Sequence, residues 1–207
     1  FQLLCDPHNE SHPDLTIVVA DGTNLKRNLF LCSQILDLKI PVILVINMMD
    51  IVLHKKMSID FAGLSKRLGI QVIGMDGRSG KGVNELKEAI AQPLVSPVND
   101  FIDVREFAPG LIDDLRSIVK VKSNYNAFLA ANNLKLISGF EMQQWKKDKI
   151  IAACEKYKFD AQQMQARETL ERYTVITHIL KDHLTSHEDP VQKSNSYKSQ
   201  NFNAKYK

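Results

Sequence analysis

The 207-residue chain has few cysteines, no long apolar run and little excess of one charge. Its three cysteines, Cys5, Cys32 and Cys154, are widely spaced and odd in number, which argues against a disulfide framework and favours a reducing compartment. No apolar run approaches the roughly 18 residues that a membrane-spanning helix needs. A net charge of +3 is too small to predict a nucleic-acid partner, and no DNA- or RNA-binding motif is present.

Motifs that handle phosphate groups are missing as well. The sequence contains no G-x-x-x-x-G-K-[ST] loop, whose backbone N–H groups would cradle phosphates. No Asp-x-x-Gly motif, which senses a γ-phosphate in nucleotide hydrolases, precedes Asn47. The chain begins at Phe1 rather than at a methionine, and we expect it to be a piece of a longer protein.

The most informative feature that is present is an apolar run, Ile40–Ile46, that stops at Asn47-Met48-Met49-Asp50. A run of this length rich in β-branched residues predicts a strand buried on both faces. Ligands bind beyond the carboxyl ends of such strands. The Asp50 carboxylate only accepts hydrogen bonds, and guanine offers two adjacent donors where adenine has none. The pattern predicts a guanine-reading site, although Asn-x-x-Asp at a strand end is also a common turn or helix cap.

Strand and helix signals alternate over residues 15–91. The predicted strands are Leu15–Ala20, Ile40–Ile46 and Ile70–Gly74. We expect one helix after the turn at residues 21–24, a second capped by Ser58, and a third that begins at Val83 and buries Leu86 and Ile90. This order favours a parallel sheet with right-handed crossovers.

Beyond Pro93 and Pro97 the strand signals end and an all-helical unit is predicted. Its helices are expected over residues 99–120, with a kink near Pro109, over 138–157 and over 160–184. The last two begin with capping boxes at Ser138 and Asp160, and Trp145 is expected in the core. Residues 191–207 carry four lysines and no acidic residue, which is typical of a tail or linker.

Two long motifs carry a family resemblance. The stretch Asp21–Leu29, followed by Asn47–Asp50, resembles the cytosolic G domain of the ferrous iron transport protein B (FeoB) family. The similarity continues at Gly80–Gly82 and in the helical part at Glu168–Tyr173.

The resemblance implies the C-terminal part of a Ras-like P-loop GTPase domain (1–96), an α/β fold whose N-terminal part is absent. A small all-α regulatory domain (97–186) and a basic linker toward a membrane domain (187–207) would follow.

The resemblance also assigns the candidate site. Asn47 and Asp50 would be the guanine-specificity pair, and Met48 would lie against the base where many GTPases have lysine. Asp76 and Gly77 would occupy the loop whose backbone N–H contacts the guanine carbonyl. No catalytic or metal-binding residue is assigned in this chain.

The implied cofactor is GTP or GDP, with Mg²⁺ in the intact protein. The implied partners are the protein's own transmembrane Fe²⁺-permease domain and small cytosolic Feo accessory proteins, at the cytoplasmic face of the bacterial inner membrane. In this family the phosphate loop and switches precede the position of Phe1. We therefore expect the chain by itself neither to hydrolyse GTP nor to hold it tightly, whereas the parent protein would be a GTPase.

Rival interpretations stay open. The G-like half could be a degenerate scaffold in a non-enzymatic interaction module. A flavodoxin-like receiver would need an acidic or flavin-binding cluster at its strand ends, and the sequence shows none. Two histidine pairs, His8 with His12 near Cys5, and His183 with His187, have metal-ligand spacing but no completing ligand set. The glycine-rich loop at 74–82 could cradle a phosphate, and the lysine-rich tail could contact anionic lipid.

Overall fold

The computed structural model describes residues 2–5, 10–121, 123–132 and 143–186. The strands in this part are β1 (Thr16–Asp21), β2 (Val42–Asn47), β3 (Met57–Ile59), β4 (Gln71–Gly74) and β5 (Leu184–Ser186). A parallel sheet has the order β1-β2-β4, and β3 pairs with β5 in a separate antiparallel ribbon.

Helices flank the sheet and make up most of what the structure describes of the second half of the chain. They are α1 (Gln2–Cys5), α2 (Leu25–Asp37), α3 (Met49–His54), α4 (Phe61–Leu68), α5 (Val83–Ile90), α6 (Leu111–Val119), α7 (Asn124–Asn132), α8 (Gln144–Lys156) and α9 (Ala161–His183). Short 3₁₀ turns span Gly22–Asn24 and Val104–Glu106. None of the described helices is long and apolar enough to cross a membrane.

Strand β2 is the centre of the sheet and is covered on both faces. Because successive side chains point to opposite faces, Val42, Leu44 and Ile46 pack in one core while Ile43 and Val45 pack in another. The first core is completed by α2 through apolar residues at helical spacing: Leu25, Leu29, Cys32, Ile35 and Leu36. The second is covered by α5. The predicted doubly buried strand is confirmed.

The fold class is also confirmed, since a parallel sheet with flanking helices precedes a helical C-terminal portion. The three predicted strands lie within two residues of β1, β2 and β4 at their ends. The 3₁₀ turn after β1 is capped by Asp21, whose Oδ1 accepts from the Thr23 N–H at 2.8 Å. The Asp160 cap is confirmed as well, because its Oδ1 accepts from the Gln163 N–H at 3.0 Å.

The β3–β5 ribbon corrects two expectations. Ser58 lies in β3 and caps nothing; the helix cap is Asp60, whose Oδ1 accepts from the Gly63 N–H at 2.9 Å. The C-terminal half is not wholly helical, since β5 pairs with β3. At the junction the Asp60 N–H donates to the His183 carbonyl at 2.9 Å. Strands of three residues carry too little periodicity to be recognised from sequence.

Several helix details also differ from the sequence expectation. The 99–120 segment contains only a 3₁₀ turn before α6, which begins at Leu111, directly after Pro109-Gly110. In α5 the buried residue is Ala89, whereas Ile90 is 43% exposed. Trp145 is 47% exposed and stands outside the core, with the Lys149 ammonium 5.0 Å from its ring centre. The Ser138 capping box, His8, His187 and the lysine-rich tail lie outside the described residues.

The long helix α9 packs against both halves of the chain. Its C-terminal residues Ile176, Ile179 and Leu180 lie in the same core as α2 and the sheet. Nearer its beginning, Met164 packs against the helical core, whose members include Leu111, Leu115 and Phe128. The predicted domain boundaries at residues 96 and 186 are not tested by this packing and stay predictions.

Candidate functional site

The candidate site lies at the carboxyl edge of the parallel sheet. In the strand register Asp21 is paired with Asn47 at the ends of β1 and β2, and Ile46 is paired with Gly74 at the end of β4. Ligands bind at this edge in open α/β sheets. The structure therefore brings the ends of three strands, and the loops that follow them, to one place.

Asn47 connects two of these loops. Its side-chain Oδ1 accepts a hydrogen bond of 3.0 Å from the Gly77 N–H, thirty residues along the chain. Its side-chain Nδ2 makes no hydrogen bond with any described residue. Asn47 thus holds the loop after β4 against the end of β2 and keeps a donor free.

Close packing beneath Asn47 depends on Gly22, which the sequence analysis did not single out. A Cβ atom on Gly22 would lie 2.7 Å from Val52 Cγ2 and 3.0 Å from the Asn47 carbonyl oxygen. Only glycine permits so close an approach of the turn after β1 to the site. The sequence signal for this contact is a glycine in the turn that follows a predicted strand.

Met48 has an unusual backbone conformation. Its φ of 64° and ψ of 35° place it in the left-handed region, which is uncommon for a bulky residue. It immediately precedes α3, and its carbonyl accepts the N–H groups of Ile51 and Val52, both at 3.0 Å. The side chain is 42% exposed. Such strained positions concentrate at functional sites.

Asp50 lies in the first turn of α3 and is exposed. Its carboxylate has no hydrogen-bond or ion-pair partner in the part of the chain that the structure describes. The position suits an anion, because the N-terminal end of a helix carries partial positive charge. Asp50 therefore keeps its acceptor atoms available at the edge of the sheet.

The side chain of Asp76, unlike that of Asp50, makes hydrogen bonds within its own loop. Its carboxylate accepts from the Ser79 hydroxyl and from the Arg78 N–H, the latter at 3.0 Å. Its backbone N–H donates to the Lys81 carbonyl at 2.9 Å. The Ser79 hydroxyl is the largest influence that holds the pKa of Asp76 below its usual value. The Asp76 carboxylate thus points toward hydrogen-bond donors of its own loop.

Both backbone N–H groups that the sequence analysis assigned to the guanine carbonyl are occupied within the protein. The Asp76 N–H is bonded to Lys81, and the Gly77 N–H is bonded to Asn47. A contact from either to guanine requires one of these bonds to be replaced, and it stays a prediction.

The metal alternatives gain no support from the described residues. No group of three or more potential ligands that could hold a metal ion is found among them. His183 Nδ1 lies 3.1 Å from Asp60 Oδ2, so this histidine has a neighbour beside the helix cap. Its partner in the predicted pair, His187, and the other candidate His8 are outside the described ranges.

Comparison with known proteins gives consistent results. The family described as ferrous iron transport protein B matches residues 3–90. The Fe(2+) transporter FeoB of Escherichia coli strain K12 is 36% identical over 120 residues, which is 58% of this chain and 15% of that protein.

Two solved structures share the fold. The cytosolic domain of L. pneumophila FeoB matches with a TM-score of 0.65 and 25% identity, covering 84% of this chain and 68% of that one. The mGMPPNP-bound NFeoB from S. thermophilus matches with a TM-score of 0.66 and 24% identity, covering 90% and 72%. Residues 3–90, which contain all five predicted site residues, are thus the part of the chain that is similar to the ferrous iron transport protein B (FeoB) family.

Proposed function

We propose that the carboxyl edge of the sheet reads the guanine base in the GTP-binding region of a bacterial Fe²⁺ transporter. Asp50 accepts from the ring N–H and the exocyclic amine of guanine, and Asn47 braces the loop on the other side. The observation that carries this proposal is the 3.0 Å bond between Asn47 and Gly77, with a free Asp50 carboxylate on the next helix.

The remaining predicted residues support the base in other ways. Met48 presents an exposed apolar side chain from a left-handed backbone, which suits contact with the face of a flat ring. Asp76 holds the loop in shape, so that Gly77 can meet Asn47. The free Nδ2 of Asn47 is a further donor for an acceptor on the base.

The whole-protein role is inferred from the family. In the parent protein GTP binds with Mg²⁺, its hydrolysis regulates Fe²⁺ passage through the membrane domain, and the cytosolic region lies at the inner face of the membrane. The phosphates are held by a loop that this chain does not contain. Strand β1 has no partner on its outer edge among the described strands, which suits a sheet that continues beyond β1.

The base-reading role is testable with this chain. We expect millimolar guanosine, but not adenosine, to shift the backbone amide resonances of Gly77 and Asp50 in ¹⁵N NMR spectra. Asp50→Asn should weaken guanosine binding about 10- to 100-fold, because hydrogen bonds to a charged group contribute roughly 1.5–3 kcal/mol. It should strengthen xanthosine binding, since xanthine replaces the amine donor with an acceptor.

The matched control is Asp113→Asn, which changes another exposed aspartate in the first turn of a helix. This variant should bind guanosine like the parent chain. Equal responses to guanosine and adenosine, or an unchanged preference in Asp50→Asn, would remove the assigned role. Because the chain lacks a phosphate loop, GTP should bind it little better than guanosine; micromolar GTP affinity would contradict that expectation.

The alternative proposal is a non-enzymatic interaction module with a degenerate G-like half. The occupied N–H groups of Asp76 and Gly77 favour it, because they leave the loop complete without a ligand. In that case no nucleoside should perturb the Asn47 edge at any accessible concentration.

A further inference from the structure

A buried cluster of charges lies where the two halves of the chain meet. Arg172 of α9 is fully buried, and its Nη1 atom is 2.8 Å from Asp37 Oδ2 at the end of α2. Its Nε atom is 2.8 Å from Glu168 Oε1, one turn earlier on α9. The Ser33 hydroxyl of α2 is a further partner, 3.2 Å from Nη1. We call Asp37, Glu168, Arg172 and Tyr125 the Arg172 cluster.

The cluster also contacts α7 and the segment between the halves. The Tyr125 hydroxyl of α7 donates to Glu168 Oε1 at 2.7 Å, and the Arg172 guanidinium lies 4.5 Å from the centre of the Tyr125 ring. Asp37 Oδ1 accepts from the Phe101 N–H. Burial raises the pKa of Asp37, and the Arg172 charge opposes that effect. Three helices therefore contact one guanidinium, and Phe101 joins them through Asp37.

The cluster separates the two apolar cores that α9 joins. On one side Ile176 and Ile179 pack with the sheet, and on the other Phe128 of α7 packs with the helical core. Apolar packing is non-directional, whereas the hydrogen bonds of Arg172 to Glu168 and Ser33 require fixed distances and angles. A buried ion cluster adds little net stability, because desolvation offsets the attraction between the charges. Its main consequence is to specify one arrangement of the surrounding elements.

We propose that the Arg172 cluster fixes α9 and α7 against α2, so that the sheet and the helical half unfold together. We call this role of the cluster the lock. Helix α2 begins beside the candidate site, where Gly22 contacts Asn47, and ends at Asp37 in the cluster. The lock thus anchors the helix that borders the base-reading edge. It does not depend on the chain binding any nucleotide.

The test is hydrogen exchange measured segment by segment on the whole 207-residue chain. In the parent chain the most protected amides of α7 and of β2 should exchange with the same opening free energy. In Arg172→Met, which leaves two buried carboxylates without a cation, α7 should lose at least about tenfold more protection than β2. Arg105→Met is the control, because Arg105 also pairs with an aspartate, Asp103 at 2.7 Å, but is 52% exposed. It should change neither segment.

Other outcomes overturn the proposal. Equal losses in α7 and β2 would mean that Arg172 contributes only general stability, and no loss would mean that apolar packing alone joins the halves. If Arg172→Met does not fold, the same measurement is made on Asp37→Asn, which keeps an acceptor for the Phe101 N–H but removes the charge facing Arg172. That variant should show the same unequal loss with a smaller size, and equal losses there overturn the lock as well.

Discussion

Two glycines in the loop after β4 should respond in opposite ways to alanine. Gly82 has a φ of 91°, and a Cβ atom there would lie 2.3 Å from the carbonyl oxygen of Gly74, a backbone atom that cannot rotate away. The left-handed conformation alone costs an L-residue about 1–2 kcal/mol, and forced displacement of packed atoms about 1–3 kcal/mol. Together they predict that Gly82→Ala destabilises the protein by about 2–5 kcal/mol.

Gly77 is the matched position. Its φ lies outside the left-handed region, and an added Cβ would be 3.6 Å from Asn47 Oδ1, an ordinary contact distance. The Asn47 bond uses the Gly77 backbone N–H, which alanine keeps. Alanine also restricts the unfolded chain, so Gly77→Ala should be neutral or stabilise by about 0.4–1 kcal/mol.

Thermal unfolding followed by circular dichroism distinguishes these effects. A protein of this size shifts its Tm by roughly 2–4 °C for each kcal/mol. Gly82→Ala should therefore lower the Tm by at least about 4 °C, while Gly77→Ala should leave it unchanged or raise it slightly. A Gly82→Ala protein that melts at or above the Tm of Gly77→Ala would refute the described geometry of this loop.

Two further predictions concern side chains whose surroundings the sequence did not reveal. The carboxyl carbon of Asp76 should titrate in NMR spectra below the usual value of about 3.9, and Ser79→Ala should raise that midpoint. Because the pKa is lower in the folded state, the stabilisation is complete above the unfolded pKa and is lost as the pH falls through the folded pKa. Trp145, the single tryptophan, should be readily quenched by acrylamide in the folded protein; a shielded indole would contradict its exposed position.

Local sequence pattern predicted the parallel sheet well, because its central strand β2 is a long apolar run and its neighbours are short apolar segments between turn signals. Burial on both faces requires such a run in β2, and the prediction placed it within two residues. The same reasoning failed where several arrangements satisfy one pattern. In α5 the apolar residues Leu86, Ala89 and Ile90 allow two rotations of the helix, and contact with Ile43 and Val45 selects the one that buries Ala89. Trp145 is apolar enough for a core, but α8 turns Ile150 and Ala153 inward instead.

In the candidate site, too, the sequence determined some features and the packing of the elements decided others. The sequence itself determined that Asn47 and Asp50 follow a buried strand. A run of branched apolar residues that ends in polar residues is compatible with few other structures. The chemistry available to Asp50 follows from its residue type alone. The sequence motif also indicated the family whose model matches residues 3–90.

Only the tertiary structure decided which of these groups meet. Gly77 reaches Asn47 because parallel pairing of β2 with β4 brings two segments thirty residues apart to one edge. The same packing directs the Asp76 carboxylate toward its own loop and leaves the Asp50 carboxylate free. Residue type alone does not distinguish these two aspartates. Arg172 meets Asp37 across 135 positions of the chain through the placement of α9 on α2. Contacts between distant segments depend on how the elements pack, and no local pattern encodes them.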